Sequence, residues 1–121
     1  MISVVVPAVN EEEGIRTLHQ RVMSAAFTWN EDYELIVVDD GSSDGTAAIC
    51  EEIATQDPHL KLVGFSRNVG HPAAISAGLQ HSVGDIVAVI DAGDFCVMRR
   101  TVVDALNSLP ERSRFVRGLR T

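Results

Sequence analysis

The sequence predicts an α/β fold built on a parallel sheet, and three observations predict it. Four short runs rich in valine and isoleucine recur along the chain, amphipathic stretches at helical spacing separate them, and a polar segment follows each run. Near-continuous apolar strands alternating with amphipathic helices imply a sheet covered on both faces and joined by right-handed crossovers.

The elements follow in order. Ile2-Ser3-Val4-Val5-Val6 reads as a strand that stops at Pro7. Asn10, followed by Glu11, Glu12 and Glu13, has the pattern of an N-cap with an acid-rich first turn, and Ile15, Leu18, Val22 and Ala25 then give a helix one apolar face. Tyr33 to Val38 is a second strand. Asp39 to Gly45 is the turn after it, with Ser43 or Asp44 capping a helix that turns Ile49 and Ile53 inward. Lys61 to Phe65 is a third strand, Pro72 suits the first position of a helix carrying Ile75 and Leu79, and Ile86 to Ile90 is a fourth strand. The strands at 2–6, 33–38 and 86–90 are expected to be neighbours.

A chain of 121 residues is one domain at most, and 45% hydrophobic against 22% charged residues is a globular balance. No apolar run reaches the ~18 residues that span a bilayer, and Met1-Ile2-Ser3 lacks the basic opening of a signal peptide. Cys50 and Cys96 have no metal-ligand spacing and read as free thiols of a reducing compartment. The net charge of −7 is unevenly spread: residues 1–98 carry 4 basic and 15 acidic side chains, whereas 99–121 carry 6 arginines against Asp104 and Glu111. The acidic body disfavours nucleic acid. The arginine-rich end suits either an anionic membrane surface or the solvated face of a helix packed on its own sheet.

In parallel sheets ligands bind at the carboxyl ends of the strands, here Pro7 to Glu11, Asp39 to Asp44, Ser66 to His71 and Asp91 to Asp94. No GxGxxG follows the first strand, and Gly41 to Gly45 lacks the lysine of a P-loop. The strand ends carry carboxylates instead, Asp40 and Asp91, which repel phosphates unless a divalent cation intervenes or they address another part of the ligand. Nucleotide sugars fit that arrangement. Asp91 favours a functional role, because a carboxylate ending a buried apolar strand has a desolvation cost unless it faces a cleft or a partner.

Val5-Val6-Pro7-Ala8-Val9-Asn10-Glu11, Val37-Val38-Asp39-Asp40-Gly41-Ser42-Ser43-Asp44-Gly45-Thr46, Ser66-Arg67-Asn68-Val69-Gly70-His71 and Gly84-Asp85-Ile86-Val87-Ala88-Val89-Ile90-Asp91-Ala92 stand in the order and spacing of family 2 glycosyltransferases. Gly93-Asp94-Phe95 and Leu109 to Leu119 resemble the acceptor side of bacterial polyprenyl-phosphate (dolichol-phosphate-type) glucosyl- and mannosyltransferases. The resemblance implies a truncated Rossmann-like GT-A domain, with residues 1–92 as the nucleotide-sugar half and 93–121 as a fragment of the acceptor half. It also implies that several dozen residues are missing near 92–93, together with a C-terminal membrane part. Across Asp91 to Asp94 the chain should therefore show either a long separation or an internal deletion that bares a sheet edge.

The reaction implied is metal-assisted, inverting transfer of a hexose from a UDP- or GDP-hexose to a polyprenyl-phosphate lipid, with Mg²⁺ or Mn²⁺, on the cytoplasmic side of a membrane. By the same resemblance Pro7, Val9, Glu11, Val38, Asp40 and Ala92 bind substrate, Asp91 is the metal and catalytic carboxylate, and Asp94 lies near the acceptor phosphate. Two departures stand out: Val9 replaces the usual aromatic residue, and Gly93 replaces the second metal carboxylate. The 121 residues alone are expected to bind nucleotide weakly and to transfer no sugar.

Other readings of these residues exist. Asp39 and Asp44 suit turn and cap roles, and Asn68 and Gly70 turn roles. His71 can simply start a helix; His19, His59 and His81 read as surface residues and Asp57 as part of a surface loop. A noncatalytic nucleotide-binding or structural fragment is the alternative function. A phosphoacceptor receiver domain fits poorly, since the first strand ends in Pro-Ala-Val-Asn and Lys61 is the only lysine.

Overall fold

The computed structural model describes residues 1–91, 94–100 and 104, and positions 94 and 95 by their backbone alone. Eight elements follow one another: β1 (Ile2–Ala8), α1 (Ile15–Ala26), β2 (Tyr33–Asp40), α2 (Thr46–Gln56), β3 (Leu60–Phe65), α3 (His71–His81), β4 (Ile86–Asp91) and β5 (Asp94–Arg99). They build a five-stranded sheet in the order β3-β2-β1-β4-β5. The first four strands are parallel, and β2, β1 and β4 are neighbours as their sequences predict.

Alternation along the central strands sorts the core into two layers. Val4, Val6, Ala8, Leu35 and Val37 face α1 and α2 through Ile15, Val22, Cys50 and Ile53. Val5, Ile36, Val38, Val87 and Val89 face α3 through Ala74, Ile75 and Leu79. Both faces of β1 and β2 are therefore dry, which explains why these strands read as unbroken valine and isoleucine; each fully buried side chain of this size contributes roughly 1.5–3 kcal/mol. Burial against the α1 and α2 layer, with Asp39 and Glu51 nearby, pushes the Cys50 thiol up to about 11, so it stays an inert core group.

Three differences from the sequence reading matter. First, the sheet is mixed: β5 pairs antiparallel with β4, from Ile86 opposite Arg99 to Asp91 opposite Asp94. The run Phe95-Cys96-Val97-Met98 supplies the strand, so the edge that a deletion would have bared is covered by the chain itself. The Ala92-Gly93 step and the arginine-rich stretch beyond Asp104 lie outside the described residues.

Second, α1 starts at Ile15 rather than at Asn10. Asn10 has a left-handed φ of 54°, and its Oδ1 accepts from the Ser43 N–H at 2.9 Å. The Glu12 N–H that an Asn10 cap would have satisfied is taken by Asp44 Oδ2. Third, β1 runs through Pro7 to Ala8, and Pro7 lies level with Val38.

At the amino end of the sheet, buried Glu34 links four elements. Its oxygens accept from the Ser3 hydroxyl, the Lys61 ammonium and the Val83 N–H. Ser3 Oγ in turn accepts the Gly84 N–H at 2.8 Å, and Arg100 donates to the Gly84 carbonyl and to Ser82 Oγ. Burial raises the Glu34 pKa, but these donors outweigh it and hold the carboxyl below its ordinary value. On the α1 face, an apolar groove of about 590 Å³ runs past Val4, Val22, Trp29, Ala88 and Val97.

Candidate functional site

The carboxyl edge is built from two interlocked loops. The β1–α1 and β2–α2 loops are joined by the Asn10 N–H to Ser42 Oγ, the Glu11 N–H to Thr46 Oγ1 and the Gly45 N–H to Glu12 Oε2, each at 2.9 Å. Asp39 closes its own turn by accepting the Ser42 N–H. Asp44 accepts the Thr46 hydroxyl and N–H, and these bonds hold its carboxyl below the ordinary range.

The β2–α2 loop also presses on the β3–α3 loop. Gly41 has a φ of 70°, and a Cβ there would run into the backbone of Arg67 and Asn68. Only glycine lets the two main chains meet this closely.

Asp40 organises the third loop. It is 1% exposed, its Oδ1 accepts the Val69 N–H at 2.7 Å, and its Oδ2 accepts the Gly70 N–H at 3.1 Å. Gly70 has a φ of 97°, a conformation that glycine adopts without strain. Each oxygen of Asp40, the carboxylate expected to contact a base or ribose, thus already accepts one backbone amide.

Asp91 ends β4 on the same face. Ile36, Val38 and Asp40 alternate along β2, as Val87, Val89 and Asp91 do along β4, and both sets lie under α3. His71, the first residue of α3, brings its Nε2 to 3.0 Å from Asp91 Oδ1, with the Asp91 side chain 3% exposed and that of His71 33% exposed. The start of α3 thus stands between two buried carboxylates, and the positive end of its dipole favours both.

His71 was missed as a site residue in the sequence. The signal was topological: a crossover from α3 into β4 begins at the carboxyl edge, beside the last residue of β4.

The other expected site residues separate. Pro7 and Glu11 line a hollow of about 220 Å³ together with Val6, Gly14 and Ile90. Val9 is half-buried and Glu11 exposed beside them. The side chain of Val38 is fully buried beneath α3. Ala92 and the side chain of Asp94 lie outside the described residues.

Two histidines read as surface groups belong to a cluster elsewhere. His19 Nε2 lies 2.6 Å and His59 Nδ1 2.7 Å from the two oxygens of Asp57, and Tyr33 stacks on His59. Burial raises the Asp57 pKa, but the bonds from His19 and His59 outweigh it and keep the carboxyl below its ordinary range. Asp57 is therefore a structural hub rather than a neutral surface position.

Among the described residues no group of three His, Cys, Asp or Glu side chains is arranged to hold a cation alone. A single buried carboxylate such as Asp91 does fit a cation whose remaining ligands are water and substrate phosphate oxygens, a common mode for Mg²⁺. The site thus fits a metal that arrives with a diphosphate.

A mostly parallel sheet with carboxylates and interlocked loops at its carboxyl edge is a doubly wound α/β architecture, in which ligands bind at that edge. The family model for glycosyl transferase family 2 matches residues 3–109. The chain belongs to glycosyl transferase family 2. It is 43% identical over 90 residues to the uncharacterized glycosyltransferase YkcC of Bacillus subtilis (strain 168), covering 74% of this chain and 28% of that protein. It is 42% identical over 92 residues to the undecaprenyl-phosphate 4-deoxy-4-formamido-L-arabinose transferase of Proteus mirabilis (strain HI4320), covering 75% and 28%. The chain thus aligns with little more than a quarter of the length of these relatives.

Solved structures agree on a GT-A fold. S. aureus TarS 1-349 in complex with UDP-GlcNAc superposes with a TM-score of 0.63 at 30% identity, over 86% of this chain and 29% of that one. The mannosyltransferase PcManGT of Pyrobaculum calidifontis, in complex with GDP-Man and Mn²⁺, gives 0.60 at 28% identity over 91% and 32%.

Proposed function

We propose that this chain is the nucleotide-sugar-binding part of a family 2 glycosyltransferase that transfers a hexose, with inversion, from a UDP- or GDP-hexose to polyprenyl phosphate. The observation that carries this reading is the pair of buried carboxylates, Asp40 and Asp91, on one face of the carboxyl edge at either side of the start of α3. The relatives named for undecaprenyl-phosphate transfer support the lipid acceptor. The neighbours solved with UDP-GlcNAc and with GDP-Man support the donor class.

In this reading residues 1–92 hold the donor and 93–121 belong to the acceptor side. Pro7, Val9 and Glu11 border the nucleoside, while Asp40 acts on it through the loop it fixes. Asp91, with Ala92 beside it, faces the diphosphate and would hold Mg²⁺ or Mn²⁺, which when bound offsets the charge that develops on the departing nucleoside diphosphate. Asp94 lies toward the acceptor phosphate. That phosphate, with a second pKa of about 6, is largely ionised at neutral pH. One of its oxygens attacks the anomeric carbon as the bond to the nucleoside diphosphate breaks, so little base assistance is needed. The arginine-rich end meets the anionic cytoplasmic face of a membrane. No described helix is long and apolar enough to cross one.

The test is incubation of UDP- and GDP-hexoses with polyprenyl phosphate and Mn²⁺, using the 121-residue chain and the chain extended with the acceptor segments of a relative. Donor binding by both and transfer by the extended chain alone is the expected result. Absence of donor binding by both would overturn the proposal. Robust transfer by the 121 residues would overturn the acceptor-side part of it.

A further inference from the structure

We propose that His71 is a positioning residue for Asp91, fixing the carboxylate that meets the cation and diphosphate, and that Asp40 sets His71 through the loop between them. The inference rests on the functional reading of Asp91 given above. It starts from the contact itself: His71 Nε2 stands 3.0 Å from Asp91 Oδ1. That distance is within ion-pair range, and of the two groups only the imidazole can present a proton to an ionised carboxylate. The carboxylate is 97% buried by its neighbours, whereas the imidazole is one third exposed, so the two groups meet at the rim of the site rather than inside the core.

The backbone holds the histidine in place. Asp40 binds the amides of Val69 and Gly70, the two residues immediately before His71. Gly41, which has no room for a side chain, locks the same loop against the β2–α2 turn. Pro72 follows directly and fixes the first turn of α3. Rigid backbone on both sides fixes the direction in which the His71 side chain leaves the chain. A line of contacts thus runs over β1 from the end of β2 to the end of β4, joining the two strand-end carboxylates.

This matters more here than it would with a full set of metal ligands. Gly93 supplies no second carboxylate, so the orientation of Asp91 bears directly on whether an oxygen points toward the incoming cation. Partners that orient metal ligands typically contribute tenfold to a hundredfold in metal affinity.

The experiment uses the 121-residue chain and its His71→Ala, His71→Gln and Asp91→Asn variants. UDP and GDP are titrated calorimetrically with and without Mn²⁺, and bound Mn²⁺ is followed by electron paramagnetic resonance. The expected result is that Mn²⁺ strengthens nucleotide binding to the parent chain. In His71→Ala that increment falls about tenfold, while metal-free nucleotide affinity falls far less. His71→Gln, whose amide can present an N–H to Oδ1, recovers part of it.

An increment unchanged in His71→Ala overturns the role of His71 while leaving the reading of Asp91 intact. A glutamine variant as poor as alanine overturns the donor role, and equal loss of metal-free binding marks His71 as merely structural. Absence of any Mn²⁺ increment in the parent chain overturns the reading of Asp91 and the proposal with it.

Discussion

Glu34 and Asp40 stand six residues apart on the same face of the same strand, and both are almost wholly buried, 2% and 1% exposed. Their partners differ. Glu34 receives a hydroxyl from β1, an ammonium from β3 and an amide from the segment between α3 and β4, so its donors belong to the frame. Asp40 receives two amides of one loop. Burial alone therefore does not identify a functional carboxylate. What separates the two is where the donors sit: Ser3 and Lys61 belong to strands fixed by ladders, whereas both donors to Asp40 belong to one loop.

The largest expected effect is at the amino end. Glu34→Ala leaves the Ser3 hydroxyl and the Val83 N–H without their acceptor, and should lower stability by about 3 kcal/mol. Lys61, half exposed, is rescued by water and adds little. Nucleotide affinity, measured below the lowered Tm, should be unchanged; a specific loss of binding would erase the distinction between the two ends.

Asp40→Asn should do the reverse. The amide keeps the volume but turns one N–H donor toward another, so nucleotide affinity should fall about tenfold, with a stability loss of about 1–2 kcal/mol. Calorimetric titration beside urea denaturation reads both quantities, and intact affinity with a large loss of stability would make Asp40 a second Glu34.

A smaller effect appears in acid. Glu34 and Asp57 are both held below their ordinary values of 4.5 and 3.8 in the folded chain. Their contribution is thus fully present above those values and is lost as pH falls through the depressed folded values. Urea denaturation from pH 6 downward should show stability constant to about pH 5 and declining below it. Asp57→Asn should flatten part of that decline, and an unaltered slope would remove the His19–Asp57–His59 cluster from the account.

The alternation of apolar runs and amphipathic stretches made the order of β1 to β4 and α1 to α3 legible in the sequence, because a sheet buried on both faces leaves little choice of residue. β5 was not legible: its pairing depends on β4 being an otherwise open edge, a tertiary fact that the run Phe95 to Met98 does not state. The start of α1 was misread at Asn10 because the competing partners, Ser43 and Asp44, lie more than thirty residues away.

At the site, the type and place of Asp40 and Asp91 were readable from strand ends. The burial of Asp40 by loop amides was not, and neither was the meeting of His71 with Asp91. Partners brought together by crossovers leave no local pattern. The burial of Val38 was equally unreadable as a site feature, since a motif position and a core position look alike in sequence.

The most direct test of the account is a nucleoside diphosphate titration in the presence of Mg²⁺, followed residue by residue through backbone amide NMR shifts. If the carboxyl edge is the ligand site, the changes fall in the loops around residues 7–14, 39–46 and 66–71 and at the end of β4 near Asp91. The amino end around Glu34, Lys61 and Val83 then stays still. Changes centred on the amino end, or none at saturating nucleotide, would contradict it.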